Sequence, residues 1–231
     1  LLRHGAVHEL AALIGEVSDT AEFEADVELA ADVVPDGVPA ARPDGRRVLL
    51  TGATGFLGRY VLRDLLAHSG TRVWCLVRTE SEAEGLDRIE AGLRTFGLWR
   101  EYYRSRITVV PGDLSLPRFG LSDKEFDDLA RGVDVIVHGG ARIEHAEPYS
   151  RLRATNVGGT EEILRLAVTG TVKPVHFVST GSVLSDRDAA RTVDGTPRSV
   201  GEDDRIPADR GADSGYVRSK WVAEELVALA R

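Results

Sequence analysis

From Arg46 onward, short apolar runs alternate with longer stretches in which apolar residues return every three or four positions. Val48–Leu50, Thr71–Val77, Ile107–Val110, Val133–His138 and Pro174–Ser179 have strand length and are rich in Val, Ile and Leu. Such near-continuous apolar strands belong to a sheet covered on both faces. Between them, Phe56–Leu66, Ser81 to about Thr95, Ser122–Ala130 and about 148–168 have helical character, with Leu57, Val61 and Leu65 on one face of the first. A last helical stretch runs from Ser214 to Arg231. Strands alternating with helices predict an α/β fold, a doubly wound parallel sheet of Rossmann architecture.

The first 45 residues follow different rules. Residues 4–41 have no Lys or Arg but nine acids, and Leu10, Leu13, Ile14 and Val17 have the spacing of a short amphipathic helix. Three prolines between Pro35 and Pro43 oppose regular structure, so the segment ends as a linker. It is either solvated or carries a helix that packs on the next domain. Two parts are therefore expected: residues 1–45, an acidic N-terminal helix and linker, and residues 46–231, the Rossmann domain. The 33 residues Gly181–Asp213 lack periodicity and lie between the fifth strand and the last helix. That place predicts a segment bordering an active site, ordered or not without ligand.

Composition narrows the classes. With 231 residues, 42% of them hydrophobic, the chain can bury one good core. A net charge of −8 with dispersed Arg argues against nucleic acid, and six His without ligand spacing argue against a metal. No apolar run approaches membrane-spanning length and no signal peptide is visible, so a cytoplasmic location is expected. The single Cys75 lies in an apolar run and is expected to pack in the core. A chain that starts at Leu1, contains no Met and ends within a helix is expected to be a piece of something longer.

The chemistry concentrates in two motifs. Thr51-Gly-Ala-Thr-Gly-Phe-Leu-Gly58 joins the first strand to the first helix. Gly52 permits a sharp turn, Gly55 lets backbone N–H groups approach a pyrophosphate, and Gly58 allows close helix packing. Gly52, Thr54, Gly55, Phe56, Leu57 and Gly58 are the expected dinucleotide cradle. Tyr216 and Lys220, four residues apart, project from one face of a helix. Together the motifs predict a nicotinamide-dependent oxidoreductase. Arg78, where an NAD enzyme would place an acid, suits a 2′-phosphate, and Arg88 can add to that site, so NADPH is expected. Asp113 and Leu114 follow the third strand, where a carboxylate can accept from the adenine amino group. Gly140 and Ala141 follow the fourth, where small residues leave room for the cofactor.

Thr180, ending the fifth strand, falls at the same carboxyl edge as these turns. Tyr216 is the expected proton donor to an oxygen that becomes negative as hydride arrives, and Thr180 bonds that oxygen. Lys220 binds the nicotinamide ribose, and its charge lowers the phenol's pKa. Asn156, the only asparagine, bonds the backbone, holds a proton-relay water or simply packs in its helix.

Thr-Gly-x-x-Gly-x-x-Gly with Tyr-x-x-x-Lys resembles the extended short-chain dehydrogenase/reductase superfamily. Cys75-Leu-Val-Arg78, Gly112-Asp-Leu114, Asn156-Val-Gly-Gly-Thr160, Phe177-Val-Ser-Thr-Gly-Ser-Val183 and Gly215-Tyr-Val-Arg-Ser-Lys-Trp-Val-Ala-Glu224 narrow the resemblance. Over about residues 46–230 the chain is similar to the thioester reductase domains that terminate nonribosomal peptide synthetases, polyketide hybrids and carboxylic acid reductases. That resemblance implies NADPH-dependent release, as an aldehyde or after a second hydride an alcohol, of an acyl or peptidyl thioester on a phosphopantetheinyl carrier protein. The carrier would be an upstream domain of the same polypeptide. Thr180, Tyr216 and Lys220 would be catalytic, and Asn156 matches the superfamily's helix asparagine. The chain departs from the pattern at Ile143-Glu144-His145, where the family often has Val-Asn, and in ending after the Tyr/Lys helix without the C-terminal substrate-binding portion. A sugar-nucleotide epimerase or dehydratase of the same superfamily, usually NAD-retaining, is one rival. A non-catalytic NADP-binding module, commonly without the Tyr/Lys pair, is another.

Overall fold

The computed structural model describes residues 23–35, 39–40, 46–184, 201 and 214–231. The expected helix over Leu10–Val17 and most of the 181–213 segment lie outside the described residues. Five parallel strands, β1 (Arg47–Thr51), β2 (Arg72–Val77), β3 (Ile107–Pro111), β4 (Val135–His138) and β5 (Val175–Phe177), form one sheet in the order β3-β2-β1-β4-β5. Every predicted strand is present. The order reverses between β1 and β4, the switch point at which doubly wound sheets bind ligands.

The helices are α1 (Phe56–Ala67), α2 (Glu82–Thr95), α3 (Asp123–Gly132), α4 (Tyr149–Arg153), α5 (Gly159–Val168) and α6 (Gly215–Leu229). α4 and α5 are joined by a π-turn at Ala154–Gly158. Local chemistry sets several boundaries. The Ser81 hydroxyl caps α2 by accepting from Glu84 N, Ser122 and Glu125 form a reciprocal capping box on α3, and Ser214 caps α6 by accepting from Val217 N. On α1, Val61 and Leu65 of the expected face pack against the core, partly buried. Leu62 and Leu66 are its fully buried residues, and Leu57, in its first turn, is 52% exposed.

Adjacent strand residues point to opposite faces, which builds two cores. Leu50, Val73, Cys75 and Val77 pack with Leu62, Leu66, Ile89 and Leu93 on one side. Leu49, Leu76 and Ile136 pack with Phe126, Leu129, Ile163 and Leu166 on the other. Cys75 is fully buried, as expected, and burial pushes its thiol up to about 12, so it stays protonated.

The described part of the N-terminal segment is packed on the domain. Phe23 is fully buried against Tyr149 and Trp221, at centroid distances of 5.9 and 5.7 Å. Asp26 accepts from Tyr149 Oη at 2.5 Å and is bridged by the Arg153 guanidinium, while Asp32 pairs with Arg165 at 2.7 Å. Pro39 O accepts from Val172 N at 2.9 Å. Residues 23–35 thus pack on the sheet domain, while the expected helix over Leu10–Val17 lies outside the described residues. Asp26 and Asp32, two of the segment's acids, meet Arg153 and Arg165 on α4 and α5.

Candidate active site

The site begins where β1 and β4 lie side by side, with Thr51 paired to His138 in the register. Gly52 follows with φ +77°, and a Cβ there would stand 2.7 Å from Gly139 O. Only glycine meets both demands. A Cβ on Gly58 would lie 2.0 Å from Gly52 O, so α1 rests directly on the turn. The first turn of α1 has no side-chain cap and no acidic residue, and Gly55, Phe56 and Leu57 around it are exposed. Uncapped N–H groups at the positive end of a helix form a seat for a phosphate. The residues present thus fit a dinucleotide: the cradle is shaped by missing Cβ atoms and its donors have no side-chain competitor.

Thr54 takes a different part from its neighbours, since its carbonyl accepts from Arg59 Nη2 at 2.9 Å. Arg78 follows β2 with its side chain exposed, and Arg88 reaches back from α2 to donate to Arg78 O at 2.6 Å. Two guanidinium-bearing residues are thereby drawn together at one edge. Asp113 Oδ1 accepts from Ser115 N and Oγ at 2.8 and 2.7 Å, which orients the carboxylate. Leu114 packs where a Cβ on Gly140 or Gly159 would otherwise stand, at 2.7 and 3.0 Å. Ala141 completes the turn after β4, half-buried.

α6, which carries Tyr216 and Lys220, meets this edge from the other side. Tyr216 is 7% exposed, the Thr180 hydroxyl is hydrogen-bonded to its phenol, and the His145 ring lies edge-on to it at 5.2 Å. Lys220, 3% exposed, donates to Val178 O at 2.9 Å and sits over the Phe177 ring, 4.1 Å from its centroid. The expectation that Lys220 lowers the phenol's pKa is not met. Burial raises Tyr216 above its ordinary value, with the Thr180 hydrogen bond pulling the other way, and the ammonium is directed at the strand carbonyl. Burial likewise brings Lys220 down to about 8, with Glu224 one turn on opposing that shift. A phenol held protonated is a competent donor.

Asn156 lies in the π-turn and bonds the backbone. Its Oδ1 accepts from Arg142 N at 2.8 Å, and Nδ2 donates to Arg142 O at 3.0 Å and to Ser219 Oγ at 2.8 Å. Both amide hydrogens are committed, leaving none to donate to a relay water. Ser219 donates in turn to Tyr216 O at 2.8 Å. Sequence reasoning missed Ser219, although it lies between Tyr216 and Lys220. It also missed Gly215, where a Cβ would stand 2.4 Å from Tyr149 N, so that α6 and α4 start in contact. Thr180 is shared with a cleft of about 970 Å³ running beside Phe177, Lys173, Leu164 and Glu224. No glycine-turn residue lines that cleft.

The family described as male sterility protein, an NAD-binding domain, matches residues 50–231. The chain is 49% identical over 183 residues to a linear gramicidin synthase polypeptide of Brevibacillus parabrevis, a match covering 79% of this chain and 4% of that protein. It is 36% identical over 233 residues to the L-2-aminoadipate reductase large subunit of Candida glabrata, covering 91% of this chain and 17% of that one. The crystal structure of the terminal R domain from the myxalamid PKS-NRPS biosynthetic pathway superposes with a TM-score of 0.84 at 42% identity, covering 91% of this chain and 52% of that chain. This chain therefore spans about half of that solved domain and a small part of the two larger proteins.

Proposed function

The chain belongs to the male sterility family of NAD-binding reductase domains, and from that premise we propose that it carries the nucleotide site and proton donor of an NADPH-dependent thioester reductase. One observation carries the reading. The glycine cradle follows β1 and the Thr180–Tyr216–Lys220 group adjoins the end of β5, so both lie along the carboxyl edge of one parallel sheet. The uncapped start of α1 with Gly52, Gly55 and Gly58 would hold the pyrophosphate, flanked by Phe56 and Leu57. Asp113, oriented by Ser115, would take the adenine amino group through its remaining carboxylate oxygen. Arg78, with Arg88 beside it, would hold the 2′-phosphate. Leu114, Gly140 and Ala141 would bound the crevice, and Lys220 would meet the ribose. Bound NADPH supplies the hydride.

Tyr216 and Thr180 act on the carbonyl oxygen of the thioester. The raised phenol keeps its proton until negative charge develops on that oxygen, and Thr180 offers a second hydroxyl to it. Collapse of the resulting hemithioacetal releases aldehyde and the pantetheine thiol. Asn156 takes a positioning role, tying Arg142 to Ser219. The R-domain relative and the aminoadipate reductase relative support an acyl or peptidyl substrate on a carrier protein. Among the described residues no helix is long and apolar enough to cross a membrane.

Titrating the chain with NADPH and NADH tests the cofactor choice. NADPH should bind more tightly, and Arg78→Ala should weaken it by roughly 10- to 100-fold, since a lost charge-assisted contact costs about 1.5–3 kcal/mol. Equal affinities for the two nucleotides, or an unchanged Arg78→Ala variant, would remove Arg78 from the site.

A further inference from the structure

A line of buried hydrogen bonds runs beneath the crevice, through Thr51, His138 and Thr160, to which the chemistry above gives no part. Gly140 N donates to Thr51 Oγ1 at 2.8 Å. Thr51 Oγ1 lies 2.7 Å from His138 Nδ1, and His138 Nε2 lies 3.2 Å from Thr160 Oγ1. Thr160 Oγ1 donates to Asn156 O at 2.6 Å. Thr51 is fully buried, and His138, Thr160 and Asn156 are at most 2% exposed, so no bulk water substitutes for a missing partner.

The proton positions follow from counting. Each threonine hydroxyl has one hydrogen. Thr160 uses its hydrogen on Asn156 O, so His138 Nε2 is the donor to Thr160. The neutral ring then carries no hydrogen on Nδ1, which accepts from the Thr51 hydroxyl. Thr51 Oγ1 still has a lone pair for Gly140 N–H. Every member is satisfied in one direction only, from Gly140 to the carbonyl of Asn156. Burial and the nearby Lys220 charge also hold the imidazole near 3, far below neutrality.

We propose that His138 is a positioning residue, fixed as its Nε2-protonated tautomer, that locks the Gly140 turn onto the residue preceding the glycine turn and ties both to the π-turn. The proposal rests on those turns forming the nucleotide site. Gly140 is tightly placed, since a Cβ there would meet Leu114 Cδ1 at 2.7 Å and Thr51 Oγ1 at 2.9 Å, and Gly139 O abuts Gly52. From Asn156 the network continues through its side chain to Ser219 and on to Tyr216 O. The floor of the nucleotide crevice and the backbone of the proton donor therefore share one hydrogen-bonded support.

The test uses the 231-residue chain labelled with ¹⁵N. Nuclear magnetic resonance should show His138 neutral with hydrogen on Nε2 at pH 7, and slow hydrogen exchange at the Gly140 amide. Thr51→Val should speed that exchange about tenfold or more, and Thr51→Ser should restore it, because the serine keeps the hydroxyl. Thr160→Val, which does not touch Gly140, should also speed it by loosening His138, and it stands in if Thr51→Val fails to fold. NADPH affinity should fall with Gly140 protection, by about tenfold in Thr51→Val, while circular dichroism stays unchanged. Hydrogen on Nδ1, or unaltered Gly140 exchange in both valine variants, overturns the proposal. A purely stabilising role predicts lower melting temperatures with unaltered nucleotide affinity, which also overturns it. Wild-type chain that binds neither nucleotide would refute the cofactor reading instead, with the tautomer and Gly140 exchange still deciding the positioning role.

Discussion

Gly58→Ala sets helix propensity against close packing, and the structure decides the sign. Alanine inside a helix is favoured over glycine by about 1 kcal/mol. At position 58, however, the added Cβ would stand 2.0 Å from Gly52 O and 3.1 Å from Ala53 Cα. An ordinary carbon–oxygen contact needs roughly 3.3 Å, so the turn or the helix must give by more than about 1 Å. Gly52 has little room to retreat, because Gly139 O lies against its other side. Overpacking of this kind costs about 1–3 kcal/mol and sometimes more. A net loss of up to about 2 kcal/mol remains after the propensity gain, lowering the melting temperature by up to roughly 8 °C in a chain this long. The control is Gly132→Ala at the end of α3, where an added Cβ meets nothing within 4 Å. It should be neutral or slightly stabilising. Thermal melts with and without NADPH separate fold from site, since a ligand at 100 times its Kd raises stability by about 2.7 kcal/mol. The Gly58→Ala protein should lose most of that increment. Melting at or above the wild-type temperature with a full NADPH increment would refute the close-approach argument.

Further outcomes follow from the packing and charge of Lys220 and Phe23. Lys220 is depressed by burial from 10.5 to about 8, so between those values the unfolded chain binds more protons than the folded one. The difference in stability between wild type and Lys220→Met should therefore move in favour of wild type as pH rises through that window. NADPH affinity should fall over the same window as the ammonium is lost, and a flat pH profile in wild type would contradict a ribose or phosphate contact. Phe23→Ala should cost about 3–5 kcal/mol of local stability, because the ring is fully buried against Tyr149 and Trp221. Limited proteolysis should then cut within residues 23–35 faster than wild type, whereas equal cleavage would mean this packing does not hold the segment.

The sheet was legible because each strand is a Val/Ile/Leu run bounded by helical spacing, a signal that needs no knowledge of partners. The glycine turn and the Tyr216/Lys220 pair were legible for a similar reason, since both are fixed by local geometry over one turn. What escaped was set by contacts between distant segments. Asp26 and Asp32 carry no signal of their own in the sequence, and only the placement of Arg153 and Arg165 opposite them gives them partners. His138 ends an apolar run as a lone polar residue, and only the register with Thr51 and the approach of Thr160 give it a role. The π-turn at Ala154–Gly158 left no mark in the apolar periodicity, yet it presents Asn156 to Arg142 and Ser219. The phenol's electrostatics were misjudged because spacing along a helix reports a shared face and says nothing of which neighbour the ammonium meets.

The central claim is that Tyr216 and Thr180 protonate and stabilise an oxygen beside a nicotinamide seated on the glycine turn. It is tested most directly by transfer of deuterium from 4-deuterated NADPH to an acyl-pantetheine thioester, followed by mass spectrometry. The chain would be assayed alone and in a longer polypeptide restoring the length of the R-domain relative. The account predicts deuterium on the carbonyl carbon of the released aldehyde in the longer form, with far less from this chain alone, where positioning worth about 7–11 kcal/mol is expected to be lost. Tyr216→Phe in the longer form should retain NADPH binding and lose about 10²- to 10⁴-fold in rate. A Tyr216→Phe protein within a few-fold of wild type, or tight NADPH binding with no deuterium in any aldehyde, would contradict it.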